Sequence, residues 1–364
     1  MGISFELGTR KATNGPMIFF SDPVSEVNLR DEIRGAIESR LCFYAYRMPG
    51  DMMVSFGSSE GVIEGFGKAG FVIAPFLPKD KIWTIPYAPT SRNKTQEQYP
   101  FPMMSTSYED YANEIEIIKK FIGDSDNRKI VAARVQTDAD KVDVASTFLS
   151  LLRAYPDAYV YCFSTPQTGC WIGATPELLL QKRASRLYSM ALAGTRKADS
   201  QGEWDQKNIK EQQMVADYIE RCMSESGLNV EKGETVTRRA GNIEHLCTPV
   251  EAESNAGFNS ADKLLHLLHN LAPTPATAGV PREAALEIIK KSEKFQRAFY
   301  GGFCGPYRNA EEFTMFVILR CARIEAERYA LFAGGGITSR SVPEHEWEET
   351  DMKLATLNNL LCFE

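Results

Sequence analysis

The chain has 364 residues, 43% of them hydrophobic, with 41 basic against 48 acidic side chains and a net charge of −7, the balance of an ordinary soluble globular protein. No lysine and arginine cluster interleaved with aromatics marks a nucleic-acid groove, so nucleic acid is not an expected partner. No apolar run nears the roughly 20 residues of a membrane span, no basic-then-apolar signal opens the chain, and the eight cysteines, without a C-x-x-C pair, read as reduced thiols of a cytoplasmic protein.

Length alone suggests two domains, yet no repeat, low-complexity tract or Pro/Gly/Ser linker divides the sequence, and a single domain over residues 1–364 is expected. In chain order, residues 27–41 predict an amphipathic helix, and 42–47, 53–56 and 70–74 short strands. Residues 86–104, rich in proline, serine and asparagine, suggest a mobile loop. Then follow a helix at 108–122, a strand at 129–136, a helix at 142–153 and a strand at 159–164. Residues 169–192 are strand-rich and 208–223 helical. Strands at 235–239 and 243–247 precede helices at 260–271 and 282–294. Two β-type runs, 313–324 and 328–332, lead into a glycine-rich turn, Gly334-Gly335-Gly336, and a last helix. Adjacent strand runs joined by short turns predict an α+β fold with mostly antiparallel sheets flanked by helices, rather than a doubly wound parallel sheet.

The last helix carries Glu346, Glu349 and Lys353 at i, i+3 and i+7, one helical face. Beside a glycine turn, these could hold a divalent cation and an anionic small molecule, or form a solvated, salt-bridged face. Glu177, between Pro176 and an apolar strand, is either a buried general acid with a raised pKa or a polar turn residue. Lys129 opens an apolar strand and is a candidate base, though most such lysines reach for water. Glu211, on a helix whose Met214, Val215, Tyr218 and Ile219 turn inward, is a third metal carboxylate or a solvated residue. His266 and His269 are one turn apart among leucines, and packed histidines rather than a zinc pair are expected.

Nine stretches occur in an order that resembles the chorismate-utilising enzymes, and among them the isochorismate synthases: residues 173–180, 192–196, 210–211, 245–249, 273–276, 299–302, 316–324, 331–337 and 346–353. The motif-bearing catalytic part is taken as about residues 129–364; the N-terminal third is less typical. The resemblance implies one α+β domain with two large stacked antiparallel sheets and a magnesium-dependent site between them. Glu211 and Glu349 are then expected to hold Mg²⁺, with Glu346 alongside. Arg320 is expected on the enolpyruvyl carboxylate of chorismate, helped by backbone N–H groups at Gly334, Gly335 and Gly336. Lys353, Ala276 and the backbone of Gly194 and Thr195 are expected around the ring carboxylate, and His245 near the ring and ether oxygen.

The implied reaction is a substitution with allylic shift: Lys129, held uncharged by burial, activates water for attack at C2 while Glu177 protonates the departing C4 hydroxyl. Two positions separate the family's branches. The aminodeoxychorismate branch typically has lysine where this chain has Ala193, and the aminating anthranilate branch typically has glutamine at Lys129. Water as nucleophile is therefore favoured, with no glutaminase subunit, and a monomer is expected. Salicylate synthase, which goes on to eliminate pyruvate, and a catalytically silent chorismate-binding relative are the alternatives. The destination of isochorismate, menaquinone, siderophore or salicylate, stays open. Two positions depart from the family: Ala272 and Gln212, both frequently histidine there.

Overall fold

The computed structural model describes residues 18–20, 23–77, 80–88, 90–91, 98–125, 128–241, 243–254 and 258–364, with side chains from residue 27 onward. The first part builds β1 (Ile18–Phe20), α1 (Pro23–Glu38), β2 (Cys42–Arg47), β3 (Val54–Ser59), β4 (Ile63–Glu64), β5 (Gly70–Ala74), β6 (Trp83–Pro86) and α2 (Tyr108–Ile122). The middle contributes β7 (Lys129–Asp138), α3 (Val144–Ala154), β8 (Tyr159–Thr165), β9 (Gly169–Thr175), β10 (Leu178–Arg183), β11 (Arg186–Lys197), α4 (Gln206–Glu225) and β12 (Asn229–Lys232). There follow β13 (Val236–Ala240), β14 (Ile243–Glu253), α5 (Ala261–Leu271), β15 (Gly279–Val280), α6 (Arg282–Ser292), β16 (Phe303–Asn309), β17 (Glu312–Val317), β18 (Cys321–Glu325), β19 (Arg328–Ile337) and α7 (Pro343–Asn358). Part of the expected mobile loop, residues 89 and 92–97, lies outside the described residues.

Among the described residues every strand pairing is antiparallel. One sheet runs β1-β3-β2-β8-β9-β18-β19-β7-β15, the other β12-β14-β11-β10-β17-β16-β5-β6-β4, with β13 on β14. This is the α+β architecture expected. No helix among the described residues is long and apolar enough to cross a membrane.

Period-two alternation explains the stacking. On β8, Tyr159, Tyr161 and Phe163 enter an aromatic layer between the sheets with Tyr44, Phe71, Trp171 and Phe316. The intervening Val160 and Cys162 face the other way, toward Ile33 of α1 and Phe148 of α3. Each such ring contributes about 1.5–3 kcal/mol by leaving water. Outside the second sheet, α4 and α5 cover it with Val215, Ile219, Leu264 and Leu268. Helices α2 and α6 cover β7 with Ile115, Ile118 and Ile289.

Two sequence expectations are corrected here. The run 313–324 is not one strand: the chain leaves the second sheet after β17 and enters the first at β18. The break falls at Arg320, whose φ of +48° lies in the left-handed region, a cost of about 1–2 kcal/mol for a residue with a Cβ. Apolar content runs on through Ile318 and Leu319, so no glycine or proline announces it. The stretch Gly334-Gly335-Gly336 is not a turn but the end of β19, in register with Ala133, Ala132 and Val131 of β7. Pairing of β19 with β18 ends at Phe332, so the other edge of β19 is open along the glycines.

Candidate active site

A second crossover, between β9 and β10, lies beside the first and carries Pro176 and Glu177. The two are tied together: Val317 N–H donates to the Glu177 carbonyl (3.0 Å), and Ala174 N–H to the Arg320 carbonyl (3.2 Å). Gly173 leaves room for that approach, since a Cβ there would stand 2.7 Å from the Arg320 oxygen. The Tyr161 hydroxyl donates to the Leu319 carbonyl (3.1 Å), pinning the left-handed corner. Both candidate side chains, Glu177 and Arg320, thus come from the seam where the sheets exchange strands.

Glu177 is 3% exposed. Burial pushes its carboxyl up to about 7, against the opposing pull of Lys129, a 3.4 Å hydrogen bond from the Thr274 hydroxyl, and the charges of Arg320 and Lys353. It is poised to be protonated near neutrality, as an acid requires. Arg320 donates from Nη2 to His245 Nε2 (3.0 Å). The opposite ring nitrogen, Nδ1, therefore carries the proton and donates it to the Gly194 carbonyl at 2.7 Å. Burial and then the Arg320 charge push His245 down to about 3, which leaves a neutral imidazole. Thr195 N–H donates to Asn208 Oδ1 (3.0 Å), fixing this bend of β11 to the first turn of α4.

The three carboxylates each face a lysine. Glu211 Oε1 is 2.7 Å from Lys129 Nζ, Glu349 Oε1 is 2.6 Å from Lys353 Nζ, and Glu346 Oε1 is 2.5 Å from Lys207 Nζ. Lys353 also donates to the Gly334 carbonyl (2.8 Å). Burial pushes Glu346 up, with Lys207 opposing; for Glu349 the burial effect is outweighed by Lys353, which holds it below the usual range. The open strand end admits these groups: a methyl on Gly336 would stand 2.5 Å from both Glu211 Oε1 and Lys129 Cε, and one on Gly335 3.2 Å from Glu346 Oε2.

Of the expected residues, Glu177, Gly194, Thr195, Glu211, His245, Ala276, Arg320, Gly334, Gly336 and Lys353 line one cavity between the sheets. Lys129, Gly335, Glu346 and Glu349 are not in its wall. Lys129 shares the parity of Ala133 and Val135 on β7, so it faces the inter-sheet layer, and at 1% exposure it lies behind Glu211 and Gly336. The sequence reading leaves Lys129 as an isolated amine; the structure gives it Glu211 as a counter-ion. Gln212, one of the two departures, donates to the Ala191 carbonyl (3.0 Å) and the Thr248 hydroxyl (2.9 Å), tying α4 to β11 and β14.

Sequence reasoning assigned no role to Tyr300, Leu319 and Phe332, which also line the wall, nor to Lys207. The 299–302 stretch hinted at Tyr300; a lysine in a first helical turn gives no such signal.

Among the described residues no three His, Cys, Asp or Glu side chains converge as a metal cluster. Two observations nonetheless fit the carboxylates to a hard cation. The donors are all carboxylate oxygens, the ligand type that Mg²⁺ prefers. Glu346 is 2% exposed, and its Oε2 has no hydrogen-bond partner while facing the Gly335 cradle.

The family model described as "Chorismate binding enzyme" matches residues 80–362. Isochorismate synthase MenF of Escherichia coli (strain K12) is 32% identical over 263 residues, 69% of this chain and 59% of MenF. Isochorismate synthase EntC of the same strain is 32% identical over 247 residues, 64% of this chain and 62% of EntC. The chain thus spans about three-fifths of the length of these curated relatives. The solved structure of Escherichia coli MenF, the menaquinone-specific isochorismate synthase, superposes with a TM-score of 0.75 at 20% identity, covering 96% of this chain and 95% of that one.

Proposed function

The chain belongs to the chorismate-binding enzyme family, and from that premise we propose that it isomerises chorismate to isochorismate. Water adds at C2 as the C4 hydroxyl departs, and the ring double bonds shift between them. Lys129, paired with Glu211 at rest, takes a proton from the attacking water once it has released its own to solvent; Glu177 gives its proton to the leaving oxygen. One water enters and one leaves, so the product is an isomer, and one proton has passed from Glu177 to Lys129 and returns through solvent. The reverse reaction uses the same pair with roles exchanged.

The observation that carries this reading is the buried carboxyl of Glu177, raised to about 7 and close enough to feel Lys129, on a cavity also lined by Arg320. Ala193 lines the same cavity and offers no nucleophile, which favours water. Arg320, a planar fork, suits the enolpyruvyl carboxylate. The neutral Nδ1–H tautomer of His245 supports the guanidinium without adding charge beside it. Tyr300 and Phe332 add aromatic surface to the same cavity.

Mg²⁺ is part of the proposal: Glu211, Glu346 and Glu349 would hold it, and when bound it supplies positive charge that orients and neutralises the ring carboxylate. Lys353, Gly194 and Thr195 line the same cavity.

The test is incubation with chorismate and Mg²⁺, with and without chelator, followed by chromatography and mass analysis of products. Isochorismate alone, lost on chelation, supports the reading. Salicylate with pyruvate moves the chain to the lyase branch, and unchanged chorismate overturns it.

A further inference from the structure

We propose that Lys207 is a built-in rival of the divalent cation for Glu346 and sets how tightly the site takes metal; this deepens the magnesium reading above and rests on it. Lys207 stands in the first turn of α4, four residues before Glu211, so both side chains leave the helix on one face. Its ammonium lies 2.5 Å from Oε1 of Glu346, while Oε2 of the same carboxylate has no hydrogen-bond partner. That bare oxygen is 3.2 Å from where a methyl on Gly335 would stand, and the Tyr111 hydroxyl, buried and also without a partner, is 3.5 Å from the same point. Two orphaned polar atoms facing one small space point to a ligand there.

Charge count gives the rivalry its direction. Three carboxylates, Glu211, Glu346 and Glu349, already face three ammonium groups, those of Lys129, Lys207 and Lys353. A dication added to that balanced set leaves an excess of positive charge unless an ammonium withdraws. The side chains of Lys129, Lys353 and Lys207 are 1%, 14% and 27% exposed, so Lys207 is the one with the most open path into water. Lysine is suited to such exchange, being a compact charge on a flexible stem. A lysine that merely held Glu346 in place would instead strengthen metal binding, and the two roles predict opposite signs.

The experiment titrates Mg²⁺ into metal-stripped full-length wild type, Lys207→Gln and Lys207→Arg by calorimetry without chorismate, alongside thermal melting. Lys207→Gln is expected to bind Mg²⁺ roughly tenfold more tightly than wild type, within the usual range of coupling between two ligands. Without metal it should melt lower, because Glu346 is left buried and uncompensated, and the deficit should close as Mg²⁺ is added. Lys207→Arg keeps the charge and should stay within about twofold of wild type. Wild-type binding with unchanged or weaker binding by Lys207→Gln overturns this proposal alone. Absence of Mg²⁺ binding by wild type, with turnover indifferent to chelator, overturns the magnesium reading and this proposal with it.

Discussion

Glu177 and Arg320 are held by each other's strands: the Glu177 carbonyl accepts from Val317, which leads into the Arg320 corner, and the Arg320 carbonyl accepts from Ala174, which leads into the Glu177 corner. Neither backbone moves without disturbing the other's hydrogen bond. The Glu177 and Arg320 corners therefore form one unit, although 143 residues of sequence separate them (320 − 177).

Glu177→Gln keeps shape and hydrogen bonding but cannot give up a proton, so turnover should fall by at least about 10²-fold. The far-ultraviolet dichroism and melting temperature at pH 7 should be kept, since a desolvated carboxyl is replaced by a neutral amide. In wild type, with this carboxyl at about 7, the protonated fraction shrinks as pH rises through 7, and kcat for loss of chorismate should decline on that alkaline side. A pH-independent kcat from 6 to 9 would sink the assignment.

Gly336→Ala tests the close approach at the strand end. Its methyl would lie 2.5 Å from both Glu211 Oε1 and Lys129 Cε, so the ion pair must be pushed aside. Activity should fall by about 10²-fold, as for other displacements of roughly an ångström near reacting groups. Steady-state kinetics with calorimetric Mg²⁺ titration checks it; wild-type values for both contradict the account.

His245 should not titrate in the physiological range. With its ring held as the Nδ1–H tautomer by Gly194 and Arg320, and its pKa pushed down to about 3, ¹⁵N spectra of histidine-labelled protein should show one neutral imidazole signal unchanged from pH 8 to pH 5. Stability follows from the sign: the unfolded ring binds a proton near 6.5, the folded ring does not, so stability is lost as pH falls below 6.5. His245→Asn should lessen that loss in chemical denaturation measured at pH 7 and pH 5.

Glu114 predicts the opposite slope. On α2, beneath α6, it accepts from the Ser292 hydroxyl (3.2 Å), and burial followed by the neighbouring Glu293 pushes it up to about 9, with Arg297 opposing. Its stabilising contribution is complete below the unfolded value near 4.5 and shrinks as pH rises toward 9. Glu114→Gln should therefore melt closer to wild type at pH 5 and above it at pH 9. A difference that does not vary with pH refutes this.

Polar residues set in apolar surroundings were legible in the sequence. Glu177 interrupts a proline-bounded apolar stretch, and Lys129 heads a run of small and branched residues; both are buried. The elements with clean periodicity, such as α4 and β8, lie where the pattern put them, and the antiparallel stack follows from short turns between strands. The switch between sheets at Arg320 was not legible, because it depends on a left-handed backbone at a residue type that gives no warning. The glycine triplet misled for a related reason: glycine signals a turn in one dimension, whereas here it removes side chains from an extended strand so that neighbours can close in. Lys207 was invisible because its significance lies in Glu346, 139 residues away along the chain.

The Tyr159 and Phe316 rings, stacked at 4.1 Å and 5° between β8 of one sheet and β17 of the other, lie close to both crossovers: β8 pairs with β9, which leads into the second, and Phe316 is one residue before the end of β17, which leads into the first. They act as a spacer gauge. Such stacked rings hold the two sheets at a fixed separation, and the strands that change sheets inherit that spacing, so trimming an aromatic of this layer would alter the gap across which Glu177 and Lys129 face each other.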